Sequence, residues 1–127
     1  MKLKLSRSAG FTLVEIMIVV AIIGMLAAIA IPNLTKARTT AQMNACIQNL
    51  RQIEAAKQQW ALETGQKPSA TPTSGNIQTY LGRGNSGSLA SCYCPQDSSK
   101  SFSTSYSIGN LNTVPTCQIN AATHILP

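Results

Sequence analysis

The chain has 127 residues, ten of them Lys or Arg and four Asp or Glu, for a formal charge of +6. Lys2, Lys4 and Arg7 carry half of that excess, and the seven basic and four acidic residues beyond position 10 are too nearly balanced to imply a nucleic-acid partner. One His and one Asp exclude a credible Ser/His/Asp or Cys/His constellation, and no Gly-rich phosphate loop follows a strand, so no enzyme is expected.

Residues 11–31 are apolar apart from Thr12, Glu15 and Gly24. As a helix this run is about 30 Å long, the thickness of a bilayer's hydrocarbon core. The basic residues before it act as a topology signal that stays cytoplasmic. A secretory signal peptide would share the basic start, and Ala28-Ile29-Ala30 resembles its cleavage site, but the apolar run is too long and contains a carboxylate. An uncut anchor fits in length, yet leaves Glu15 in hydrocarbon at about 2–3 kcal/mol. A cut between Gly10 and Phe11 explains the carboxylate. Phe11 then carries a free α-ammonium, and Glu15, fifth in the new chain, can neutralise the ammonium of a neighbouring subunit. Such a pair adds little net stability but makes mispairing costly, so it sets register.

The string Ala9-Gly10-Phe11-Thr12-Leu13-Val14-Glu15 after a short basic leader closely resembles the class III signal of type IV pilins and type II secretion pseudopilins. The resemblance implies that residues 1–10 are a leader, removed after Gly10 by a prepilin peptidase that also N-methylates Phe11. It implies that Glu15 is needed for assembly and that Pro32 falls where the family often has a proline. The implied protein is a structural subunit, single-pass in the inner membrane with its N-terminus cytoplasmic. It would polymerise as a helical homo-oligomer, with related pilins and an assembly platform as partners. A type II secretion pseudopilin in the periplasm, or a minor tip subunit acting as a binding module, is the alternative to a cell-surface pilus.

Residues 32–64 continue the helix. No Gly or Pro interrupts residues 33–64, and Gly65 supplies a stop. The expected helix runs from about Thr12 to Thr64, with a kink or local unwinding near Gly24 and Pro32 because proline lacks an N–H and crowds the preceding turn. Cys46, Leu50, Ile53, Ala56 or Lys57, and Trp60 recur at three- and four-residue steps, the stripe of an amphipathic helix. Trp60 is read as a core anchor. The stretches Asn44-Ala45-Cys46-Ile47 and Lys57-Gln58-Gln59-Trp60-Ala61-Leu62-Glu63 also look like a subgroup of short bacterial pilin-like proteins.

Residues 65–127 form the C-terminal domain, which makes the fold class α+β: one long helix with a small antiparallel sheet on its second half. Residues 66–75 read as loop, 76–81 as one helical turn, and 82–91 as a Gly/Ser-rich loop containing Arg83. Ser and larger residues alternate through 101–108, the period of a strand. Residues 110–112 supply a turn, residues 114–119 a second strand with Cys117 and Ile119 on one side, and His124 lies on a last edge near the terminus.

So small a core needs staples, and an even number of cysteines on the exported side favours disulfides. Four cysteines allow three pairings. Cys94–Cys117 with Cys46–Cys92 is preferred; a disulfide across a loop of about 20 residues is worth about 3 kcal/mol. In the short pilin-like subgroup a Cys-Pro precedes the hairpin and a Pro-x-Cys follows; Cys94-Pro95 and Pro115-Thr116-Cys117 resemble these. A zinc site from Cys92, Cys94, Cys117 and His124 is disfavoured because Cys-x-Cys is tighter than the usual ligand gap. No metal and no cofactor is expected.

Overall fold

The structure is a computed structural model describing residues 10–82 and 89–127. The basic leader residues Lys2, Lys4 and Arg7, and the loop residue Arg83, lie outside the described residues. Contacts divide the chain into residues 1–37 and residues 38–127.

In the first unit the backbone is helical from Leu13 onward, the start of α1 (Leu13–Thr64). Its apolar residues are exposed all round: Leu13, Val20 and Ile31 each keep more than half of their surface open. A helix apolar on every face has no water-facing side. Its apolar stretch is long enough to cross a membrane and none of it is buried within the chain. The local unwinding expected near Gly24 and Pro32 is absent: α1 passes through both without interruption. Pro32 removes one N–H from the ladder, and the Thr35 hydroxyl donates to the Pro32 carbonyl at 2.9 Å, one turn on.

In the second unit the later turns of α1 bury Cys46, Asn49, Leu50, Ile53, Ala56 and Lys57. Spacings of three and four residues put these on one face. The core over them comes from Ile77, Leu81, Cys92, Cys94, Phe102, Tyr106 and Cys117. Asn49 is a polar member that apolar periodicity passes over; its Nδ2 donates to the Tyr93 carbonyl and the Tyr106 hydroxyl, both at 3.0 Å. The stripe also ends differently from expectation. Trp60 is only half-buried and stands outside the core, whereas Lys57 is fully buried. The Lys57 ammonium donates to Glu54 at 2.9 Å and to the Thr113 carbonyl at 2.6 Å, so its four-carbon stem packs as core while its head stays paired.

After α1, Gly65 turns the chain at φ 63°, the left-handed conformation that glycine adopts without cost. A short α2 (Ser74–Gln78) opens with a reciprocal cap between Thr73 and Asn76, two residues earlier than the turn expected at 76–81. A 3-10 turn occupies Leu89–Ser91. The strand expected over 101–108 is mostly a correction: α3 (Phe102–Ser105) is a helical turn, and only β1 (Tyr106–Ser107) is extended. Phe102, Ser105 and Tyr106 are the buried residues here. That is a three- and four-residue spacing, which the Ser-x alternation concealed. β1 pairs antiparallel with β2 (Thr116–Cys117), Tyr106 opposite Cys117 and Ser107 opposite Thr116. Ile119 lies beyond β2 and is exposed.

Asp97 explains the helical turn. Its carboxylate accepts from the Ser99 amide at 2.9 Å, the Ser99 hydroxyl at 2.5 Å, the Thr104 hydroxyl at 2.6 Å and the Ser105 hydroxyl at 2.7 Å. Drawing Thr104 and Ser105 onto one carboxylate winds the backbone between them and Ser101, whose carbonyl accepts from the Ser105 N–H at 3.1 Å. The Ser99 hydroxyl first, then Thr104 and Ser105, hold this carboxyl well below the usual carboxylate range. A pKa depressed in the folded state contributes stability that is present above the unfolded value and is lost as pH falls through the folded one. Thermal melts of the full chain in detergent should therefore fall as pH drops below about 4. Asp97→Asn should start lower at neutral pH and lose less over the same acid span. An unchanged acid limb in that variant would remove Asp97 from the fold's pH dependence.

Candidate functional site

Two constellations stand out, one in each unit. The first is the start of α1. The Thr12 amide and hydroxyl both donate to Glu15 Oε2, at 2.7 and 2.8 Å, and the Glu15 amide donates to Thr12 Oγ1 at 3.3 Å. This is a capping box, in which the residue before the helix and the third residue inside it satisfy each other's free amides. Thr12 is the functional residue that sequence reasoning passed over. The signal was present in Thr12-Leu13-Val14-Glu15, the spacing of a capping box. Both bonds to the carboxylate end on one oxygen, Oε2. An acid in the first turn also meets the positive end of the helix dipole. Gly10 and Phe11 precede the helix and are exposed, Phe11 by 86%. The bond between them is thus outside regular structure.

The second constellation lies in residues 38–127. The Sγ atoms of Cys46, Cys94 and Cys117 and a ring nitrogen of His124 all lie within 4.8 Å of one another. His124 Nδ1 is 3.6 Å from both the Cys94 and the Cys117 sulfur. All four residues are at most 2% exposed. Each comes from a different element: Cys46 from α1, Cys94 from the loop before α3, Cys117 from the end of β2, and His124 from a turn closed by its own amide on the Asn120 carbonyl at 3.0 Å. His124 is therefore a buried residue, not the surface or edge residue expected near the terminus.

Neighbouring groups hold the sulfurs. The Cys94 amide donates to Ser105 Oγ at 2.9 Å, and Ser105 is itself tied to Asp97. The Gln96 amide neighbours the Cys94 sulfur and the Tyr106 hydroxyl neighbours the Cys46 sulfur, each favouring the thiolate form. Burial pushes the Cys46 and Cys94 thiols up and the His124 imidazole down.

The pairing expected from sequence meets a different arrangement. None of the four cysteines is joined to another in a disulfide in this structure. Cys94 and Cys117 do come together, but Cys46 joins them and not Cys92, which is buried outside the cluster. The ligand set weighed from sequence likewise had Cys92 where the structure has Cys46. A long-range partner from α1 removes the Cys-x-Cys crowding that counted against it.

Comparisons with known proteins bear on the first constellation. Residues 5–31 match the family described as the prokaryotic N-terminal methylation motif. The chain is 47% identical over 57 residues to the type IV major pilin protein PilA of Myxococcus xanthus, covering 45% of this chain and 26% of that protein. It is 35% identical over 63 residues to the type II secretion system core protein G of Pectobacterium carotovorum, covering 50% and 40%. It is 44% identical over 64 residues to a fimbrial protein of Pseudomonas aeruginosa, covering 50% and 42%. The matched stretch is thus less than half of each relative's length. No solved structure matches the chain significantly. The methylation motif thus spans the Glu15-capped start of α1 and the apolar stretch long enough to cross a membrane. Residues 5–31 carry that motif, and the chain is similar over 57–64 residues to a type IV pilin, a fimbrial protein and a type II secretion core protein.

Proposed function

We propose that the chain is the structural subunit of a type IV pilus-like filament, made as a precursor in the inner membrane with its N-terminus in the cytoplasm. The observation that carries this reading is a wholly exposed apolar helix with a single carboxylate at its start. The unassembled helix sits in lipid. In a fibre it exchanges lipid for neighbouring helices, where small residues such as Gly24, Ala27, Ala28 and Ala30 allow close approach. Cleavage after Gly10 by a prepilin peptidase releases the basic leader and creates the Phe11 ammonium, which the peptidase methylates. Cytoplasmic ATPases, acting through an inner-membrane assembly platform, supply the work of extraction. The Phe11 ammonium of one copy against Glu15 of the next checks register.

The similarity to type II secretion core protein G supports a second reading, a periplasmic pseudopilus built by the same helix packing. Both readings require the same processing. Mass spectrometry of the mature protein should find a chain beginning at N-methylated Phe11. A mature chain beginning at Met1 or at Ile31 would contradict both.

A further inference from the structure

We propose that Cys46, Cys94, Cys117 and His124 form a structural zinc site that staples the C-terminal domain to α1. The argument begins with distance. Zinc binds thiolate sulfur at about 2.3 Å and imidazole nitrogen at about 2.0–2.1 Å, tetrahedrally. The edges of that tetrahedron are then about 3.8 Å between sulfurs and about 3.6 Å between sulfur and nitrogen. His124 Nδ1 stands at 3.6 Å from two of the sulfurs, and all four atoms fall within 4.8 Å.

Chemistry points the same way. A disulfide joins two sulfurs and leaves a third buried thiol and a buried imidazole with no role. One ion uses all four groups. Three sulfurs and one nitrogen suit zinc, and four buried protein ligands leave no open position, the mark of a structural rather than a catalytic centre. The outer contacts fit as well. The Gln96 amide and the Tyr106 hydroxyl point at the Cys94 and Cys46 sulfurs, where they can accommodate thiolate charge. Asn49 in turn donates to the Tyr106 hydroxyl.

Binding balances simply. Three thiol protons pass to solvent as three zinc–sulfur bonds form, and His124 donates its Nδ1 lone pair, giving a centre of net charge −1. Because the ligands come from α1, the loop before α3, β2 and the terminal turn, the bound ion ties together segments that a sheet of two two-residue strands cannot hold. Metal binding becomes folding energy in such a domain. This reading is independent of the filament reading, since the site lies wholly in residues 38–127.

The test uses the full chain purified in detergent from membranes without added metal. Elemental analysis should give roughly one zinc per chain, the capacity of a single four-ligand centre. Cys46→Ser and His124→Ala should each weaken zinc binding by more than about tenfold, the scale of affinity already lost with an outer contact, and so lower the zinc retained through purification. Cys92→Ser should keep it. His124→Cys guards against simple misfolding: it should retain metal and, loaded with cobalt, show the visible bands of a tetrahedral thiolate site, altered from those of the parent. A parent chain without zinc, carrying a disulfide between any two of Cys46, Cys94 and Cys117 on non-reducing peptide mapping, would overturn the proposal. So would zinc that survives both Cys46→Ser and His124→Ala, or that is lost from Cys92→Ser as completely as from them.

Discussion

Glu15→Gln is expected to abolish fibres while leaving membrane insertion intact. The amide keeps a capping oxygen for the Thr12 amide, since Gln serves in a capping box as Glu does. The start of α1 is therefore preserved, and only the charge is removed. In the fibre, an ammonium would then be buried beside a neutral group. Removing one partner of a buried pair costs about 3–5 kcal/mol, which at 1.4 kcal/mol per tenfold weakens each subunit contact by more than about 100-fold. Thr12→Val makes the opposite cut. It loses the capping hydroxyl, worth about 1 kcal/mol, but retains the carboxylate, and fibres should persist. Sheared-fibre yields from the two variants, with membrane fractions blotted in parallel, separate the local role of Glu15 from its intermolecular one. Equal yields from Glu15→Gln and the parent would remove the pairing from the account.

The second large effect concerns which face of α1 builds the domain. Leu50 is fully buried, whereas Leu62, three turns further along the same helix, is 84% exposed. Leu50→Ala should cost about 2–5 kcal/mol, the range for a buried leucine that leaves a cavity. Leu62→Ala should stay within about 0.5 kcal/mol. Urea titration of the full chain in mild detergent can follow the fluorescence of Trp60, the only tryptophan, whose half-buried ring reports on the end of the stripe. Similar losses for the two variants would mean that the buried face is wrongly assigned.

The N-terminal half was legible because its signals are local. A long apolar run, a basic flank and one carboxylate five residues past a glycine lie within a single stretch, and the stripe Cys46, Leu50 and Ile53 follows from helical spacing alone. The domain was legible only in part, because its determinants are long-range. Phe102 and Tyr106 satisfy both a strand's alternation and a helix's four-residue step, and the deciding partner, Asp97, lies outside that segment. Lys57 is buried because a carbonyl from Thr113 awaits its ammonium, a fact no periodicity contains. The thiol–imidazole cluster was hidden for the same reason. Reading nearby cysteines as a set put Cys92 with Cys94, whereas folding supplies Cys46 from the helix and buries His124 beside it.

The central claim is tested most directly by the N-terminal geometry of the assembled fibre, determined by electron cryomicroscopy at side-chain resolution. The Phe11 amine of one subunit should lie within about 4 Å of a Glu15 carboxylate oxygen of an adjacent copy, ion-pair distance. A fibre in which Glu15 serves only its own Thr12, with the amine paired elsewhere or facing water, would contradict it.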